Sequence, residues 1–569
     1  MTQSGGELIS KILRAAGIDT VFAVGGAAHS HLLKPLNDAG TCIVSSRHEA
    51  GAVGAADGYA RIKATPGVAL IVADQGLPNA IGALAVAWHA ASPLLVLVAC
   101  PPRPHAEAER SIDQDTLALV TPISKWARSV PSAERLSDYL NTALKHAMSG
   151  RPGPVVLLLP VEQLQATVAA DQVTVWQEPS KPAPDKTAIY GAARLLANAE
   201  RPMIVVGGGA AWSNAADTLS ELSKEFSLPV LGNGLGRGQV AEDNELSFSW
   251  PYAQVAAKDA DVVLLVGVRL TQRLGLGLPP RFSASAKFIQ IDIDAGAFHR
   301  NRPVDVAIQA DAAPTLQALC DELRKLNTPK FSAHWIHAAL QNRAARISEL
   351  IQSPASKIHP LQLGDAIMRR LSKDSQVIGD GADIQTWMYG AIRIRRTRGF
   401  LDHYPMGAMG SGTALAVGAA AAHREMSGDS APTTVLITGD GAIGFHPAEI
   451  HAAVRANLNL VVIIGNDGAW GTEFHGQRDS IGQDINTDLG VLPYEKLGET
   501  FGAKGIHVSK PERLDAALDA AFMNKGVVVL NVEIDRGAGM ELKTNSDVRM
   551  IQFSDILDGQ KDINSPIVK

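Results

Sequence analysis

The stretch from Thr438 to Trp470 restricts the fold more than any other. The apolar run Val435–Ile437 ends in Gly439-Asp440-Gly441. A segment of helical period follows, and a second apolar run, Leu460–Ile464, ends in Asn466-Asp467. Strand, helix, strand is a βαβ unit, whose parallel strands point their carboxyl ends at one edge of the sheet. Asp440 and Asp467, 27 residues apart, then stand on neighbouring strand ends. Two carboxylates so placed suit a hard divalent cation, which takes oxygen ligands and keeps room for phosphate oxygens. The N–H groups near Ala442 and Ile443 open the following helix, and a helix N-terminus favours phosphate. Gly441 leaves space for backbone approach. The motif reads as metal plus diphosphate.

The same apolar pattern recurs along the chain, at Val68–Ala73, Leu94–Val98, Val155–Leu159, Ile204–Val206, Val262–Val266 and Val527–Val532. These runs are too short to span a bilayer. They are apolar on both faces and lie between Ala-rich helical segments, as buried parallel strands do. The expected class is α/β, with three doubly wound domains and mainly parallel sheets in the 569 residues. A net charge of −6, without blocks of one sign, argues against nucleic acid as a partner. Cys42, Cys100 and Cys320 are few, odd in number and far apart, so neither a disulfide framework nor a zinc site is implied, and a reducing cytoplasm is the simplest setting. The first residues lack the charged-then-apolar pattern of a signal peptide.

Composition divides the chain. Residues 1–170 form one α/β domain. A Pro- and Lys-bearing linker near Asp171–Asp185 precedes a second domain, 186–326, which starts with a helix and the strand Met203–Val206 before Gly207-Gly208-Gly209. A polar, mostly helical connector, about 327–358, leads to the third domain, 359–534. A polar tail, 535–569, ends the chain.

The GDG-(24 residues)-ND pattern resembles the thiamine-diphosphate (ThDP) motif of the family that includes acetolactate synthase, pyruvate oxidase, benzaldehyde lyase, oxalyl-CoA decarboxylase and 2-hydroxyacyl-CoA lyase. The resemblance extends over about Gly5 to Ile534. It makes the three domains pyrimidine-binding, middle and diphosphate-binding, and the tail a candidate active-site lid. ThDP chemistry needs a metal-anchored diphosphate, a bent coenzyme, and a carboxyl group that drives the aminopyrimidine to remove the thiazolium C2 proton; the ylid then attacks a carbonyl. In SSRHEAGAVGAADGYAR, Glu49 matches the family's catalytic Glu. Met409 matches the wedge under the bent coenzyme, and Gly407 the carbonyl that holds the pyrimidine amino group. Gly381 and Ala382 resemble the loop over the diphosphate. Gly439, Asp440, Gly441, Ala442, Ile443, Asp467 and Trp470 complete the coenzyme set, and Mg²⁺ would be held by Asp440, Asp467 and the carbonyl of Ala469. The family usually has Asn where Asp467 stands. His29, Glu473 and His475 are candidate substrate-side acids or bases.

The activity so implied is carbon–carbon lyase or carboligase chemistry on 2-oxo acids, aldehydes or 2-hydroxy ketones. Acyl-CoA lyase or decarboxylase chemistry is the alternative, and a flavin-containing, pyruvate oxidase-like oxidoreductase the lesser one. In this family the middle domain holds FAD, an ADP-containing molecule or nothing; Arg269, Gln290, Asp292 and Asp294 resemble nucleotide positions. The resemblance also implies a homodimer or homotetramer in which the first domain of one subunit meets the third domain of another, with no membrane partner.

Overall fold

The computed structural model describes residues 2–105, 108, 114–169, 180–249, 257–279, 281–352 and 355–540. Most of the linker and the tail 541–569, with its lid assignment, lie outside that range. Three six-stranded sheets carry the fold, and every strand pair within them is parallel. The three-domain α/β expectation holds.

The first sheet is built from Thr20–Ala23, Cys42–Ser45, Gly67–Val72, Leu94–Cys100, Trp126–Ser129 and Pro154–Pro160. The third is built from Gln376–Gly379, Phe400–Asp402, Thr434–Gly439, Leu460–Asn466, Lys504–Val508 and Val527–Glu533. Numbered in chain order, the strands of both lie across the sheet as 2-1-3-4-6-5. The middle sheet, from Pro202–Val206 to Val306–Gln309, runs 3-2-1-4-5-6, so its order reverses between Pro202–Val206 and Val262–Val266. Central strands such as Val155–Leu157 and Leu460–Ile464 are buried on both faces, which is why they read as continuous apolar runs.

The expected single helix after Gly439-Asp440-Gly441 is two pieces, Asp440–Ile443 and Glu449–Arg455. Pro447, between them, lacks an N–H and cannot continue a helical ladder. The connector is helical, at His334–Gln352.

The first and third domains meet through two Ala- and Gly-rich helices, Glu49–Lys63 and Gly412–Ser427, each buried along most of its length. A methyl group on Gly418 would lie 1.8 Å from the Ala55 carbonyl oxygen, so the backbones are in direct contact. Ala and Gly fill both helices because larger side chains would push them apart. Among the described residues, no helix is long and apolar enough to cross a membrane.

Candidate active site

The carboxyl edge of the third sheet opens into a cleft of about 470 Å³. Its walls include Gly381, Met409, Gly439–Ala442, Asp467, Ala469, Trp470 and Glu473. Strand pairing sets Gly439 opposite Gly465, so the turns beyond them carry Asp440 and Asp467 side by side. Burial pushes the Asp440 carboxyl up to about 8, and the neighbouring Asp467 adds to the effect. Burial also raises Asp467. Asp440 Oδ2 is buried and accepts no hydrogen bond. Two desolvated carboxylates with an open oxygen are costly alone and well suited to a divalent cation. The donor set therefore fits a divalent cation such as Mg²⁺.

Asp467 is held from behind. Its Oδ1 accepts the Ala469 N–H at 3.1 Å, while the Arg536 guanidinium donates to the carbonyls of Asp467 at 2.7 Å and Gly468 at 2.6 Å. The space over Gly441 is filled. A Cβ there would lie 2.5 Å from the Trp470 indole, so the missing side chain makes room for that ring. Trp470 in turn sits edge-on to Phe445. Ile443 is buried and outside the cleft lining.

The loop that carries Met409 is fastened by Asp380. This fully buried carboxylate accepts the N–H groups of Gly381 at 2.7 Å, Gly410 at 3.1 Å and Gly412 at 2.8 Å. Gly410 has φ +86°, and a Cβ there would strike Phe445. One acid thus ties the loop expected over the diphosphate to the loop of the expected wedge. Met409 lines the cleft, and Gly407, at φ +81°, lies in the same loop.

Asp383 belongs to this cleft and was not expected. It stands in the wall between Ala382 and Ile384, where burial and then Asp467 push its carboxyl to about 7. Its place two residues after Gly381, on the loop read as covering the diphosphate, was the available signal. Glu473 reaches the cleft from the helix Gly471–Ile481. His475, on the same helix, does not; its Nε2 lies 2.8 Å from the Arg536 carbonyl oxygen, and the ring packs on Gly539.

Two candidates of the first domain lie outside this cleft in their own chain. Glu49 opens the helix Glu49–Lys63, and its Oε2 accepts Asn79 Nδ2 at 3.0 Å. His29 is buried, with Nε2 2.9 Å from the Ile71 carbonyl oxygen, and burial lowers its pKa and keeps it neutral. The structure gathers most of the third-domain candidates in the cleft, without Gly407, Ile443 and His475, and leaves the first-domain ones outside its lining.

A second cleft, about 1030 Å³, opens at the carboxyl edge of the middle sheet where its strand order reverses. Gly207–Gly209, Asp292, Asp294, Arg151, Arg269 and Arg273 line it. Arg151 and Arg269 both donate to the His89 carbonyl, at 3.3 and 2.9 Å. Burial and then the charge of Arg269 lower the Arg151 pKa; Arg269 is lowered by burial. Gln290 is spent internally on the carbonyls of Val268 and Ala297.

A cleft with two buried aspartates at the carboxyl edge of one of two like-ordered parallel sheets, with a third parallel sheet between them in the chain, is the architecture of an α/β enzyme with a cofactor site. Comparison with known families agrees. Residues 3–119 match the thiamine pyrophosphate enzyme N-terminal TPP binding domain, 189–319 the central domain, and 380–532 the C-terminal TPP binding domain. The chain belongs to the thiamine pyrophosphate enzyme family. It is 30% identical over 556 residues to an acetolactate synthase large subunit of Mycobacterium tuberculosis, covering 96% of this chain and 98% of the relative. It is also 30% identical over 551 residues to an oxalyl-CoA decarboxylase of Escherichia coli, covering 94% and 96%. A 2-hydroxyacyl-CoA lyase of rice matches at 29% over 567 residues, covering 95% and 97%.

Proposed function

We propose that this enzyme cleaves or forms a carbon–carbon bond next to a carbonyl, with ThDP and Mg²⁺, on 2-oxo acids, aldehydes or 2-hydroxy ketones. The observation that supports it best is the buried Asp440–Asp467 pair, with its open Oδ2, beside Met409 in one cleft. When bound, the coenzyme supplies a carbanion that adds to a carbonyl carbon and takes up the electrons of the broken bond. The chain's own residues do the rest. Asp440, Asp467 and the Ala469 carbonyl would hold the cation. The Asp380-fastened loop keeps Met409 in the cleft wall, where it would meet the coenzyme. Glu473 stands at the cleft where a proton is given to or taken from the substrate. Glu49 and His29 lie outside the lining of their own chain's cleft, so we read the working unit as at least a dimer in which a second copy brings Glu49 to the coenzyme.

The middle cleft favours a second reading, acyl-CoA substrates. Paired guanidiniums at a sheet's switch point suit a diphosphate, and Asp292 and Asp294 at a strand end suit ribose hydroxyls. The experiment is a substrate panel on enzyme loaded with ThDP and Mg²⁺, with products followed by mass spectrometry and CoA binding by calorimetry. Turnover of free 2-oxo acids or 2-hydroxy ketones with no effect of CoA supports the first reading. CoA binding that Arg269→Ala weakens by roughly tenfold or more supports the second. No coenzyme uptake with Mg²⁺ supplied overturns both.

A further inference from the structure

Glu449 begins the helix Glu449–Arg455, nine residues after Asp440. A Glu in a first turn ordinarily serves the free N–H groups of its own helix. This one crosses to the first domain. Its Oε1 accepts the backbone N–H of Arg47 at 2.9 Å and of His48 at 3.0 Å, the two peptides just before Glu49. The residue is 1% exposed. It fits only because residue 51 is glycine: a Cβ there would lie 2.1 Å from Glu449 Oε1 and 2.3 Å from its carboxyl carbon. Neighbours tighten the grip. His446 lies against the His48 ring, centroids 5.4 Å apart, and His451 Nδ1 is 3.2 Å from Arg47 Nη1. His48 itself caps the helix, its Nδ1 accepting the Ala50 N–H at 3.1 Å.

We propose that Glu449 is the positioning residue for Glu49: it fixes the Arg47–His48 step from the metal-bearing domain and so sets where the Glu49 carboxyl points. The inference rests on Glu49 being the acid that activates the coenzyme. Rotation of the peptides before Glu49 would sweep its side chain, and a displacement of about 1 Å at such a group costs on the order of a hundredfold in rate. The sequence hides the link, because the partners lie 402 and 401 positions apart.

The test compares Glu449→Ala, Glu449→Gln, Gly51→Ala and Glu49→Gln in the full chain. Three readouts serve: amide hydrogen exchange over residues 44–52 in the coenzyme-free protein, the dissociation constants for Mg²⁺ and ThDP, and proton exchange at the thiazolium C2 of the bound coenzyme. Glu449→Ala and Gly51→Ala are expected to speed amide exchange at Arg47 and His48 by about tenfold. The same variants should slow C2 exchange by about 10- to 100-fold, with Mg²⁺ affinity within about threefold of the parent. Glu449→Gln retains an acceptor oxygen and should recover most of the C2 exchange. Gly51→Ala and Glu449→Gln keep the test decisive if Glu449→Ala does not fold. Unchanged C2 exchange in Glu449→Ala and Gly51→Ala, beside none in Glu49→Gln, would overturn the inference alone. Full exchange in Glu49→Gln would overturn the role of Glu49 and this inference with it.

Discussion

The first and third sheets are threaded alike, each 2-1-3-4-6-5, and differ in the connections that leave their strands. After the second strand, the first domain takes the short step Ser46–His48 and starts a helix at Glu49; the third takes the longer loop 403–411, through Met409, before the matching helix Gly412–Ser427. After the third strand, the first domain has Ala73-Asp74 and the third Asp440. Each loop is fastened by a buried acid. Asp380 secures the Met409 loop from within its own domain, whereas Glu449 secures the Glu49 step from the other. One scaffold thus presents Glu49 on one domain and the Asp440–Asp467 pair on the other. The contrast lies outside the sheets, where a fold can change chemistry without disturbing its core.

The largest effect tests whether the two Asp positions after the third strands are equivalent in place only. Asp440→Ala should abolish Mg²⁺-dependent coenzyme retention and lower activity by roughly a thousandfold or more. Asp74→Ala should leave Mg²⁺ affinity, measured by calorimetry, within about threefold. Equal losses in the two variants would break the comparison. Next in size, Glu49→Gln should lower kcat by about 100- to 1000-fold while thermal stability and metal affinity hold. Turnover near the parent rate would remove the acid from the first domain's side of the contrast.

Much of this contrast was legible in the chain. The central strands announce themselves because both faces are buried, and Gly439-Asp440-Gly441 with Asp467 marks the cleft end of the sheet by its place after two of them. Among the strands the apolar runs did not mark, Ser247–Ser249, Val306–Gln309, Phe400–Asp402 and Lys504–Val508 are the outermost of their sheets, with Val230–Gly232 next to one of them. Edge strands are short or carry polar residues, so the apolar signal fades there. Pairings across domains were not legible. No local pattern says that Glu449 faces Arg47, that Asp380 serves Gly410 and Gly412, or that His475 turns from the cleft toward Arg536. Nor does any local pattern say that the side-chain position of Gly441 is taken by Trp470, which arrives from the next strand.

A smaller effect sharpens the comparison of the two fastening acids. Asp380→Asn puts an NH₂ group against backbone N–H donors and should cost about 1–3 kcal/mol of stability, read from denaturant midpoints. It should also lower kcat by about tenfold through Met409. Loss of stability with unchanged kcat would show that the loop's shape does not govern the site, unlike the step before Glu49.

The last contrast concerns protons in the metal-free protein. The raised carboxyls cluster on the third domain: Asp440 at about 8, Asp383 and Glu449 at about 7. Burial is the first cause for each, and an unfolded carboxyl titrates near about 4. A carboxyl held above its unfolded value contributes its full stability below about pH 4, and that contribution is lost as pH climbs through the folded value. Chelator-treated protein should therefore lose stability steadily from about pH 4 to about 8. Mg²⁺ with ThDP should flatten that slope, because the cation takes the place of protons on Asp440 and Asp467, and its affinity should rise with pH for the same reason. Asp440→Asn should flatten the metal-free slope between about pH 7 and 8 without any metal, since the group that titrates there is gone. Denaturant midpoints across this range decide the matter. A metal-free midpoint that does not change with pH would mean these carboxyls are solvated, and the third domain would lose the desolvated pair that sets it apart from the first.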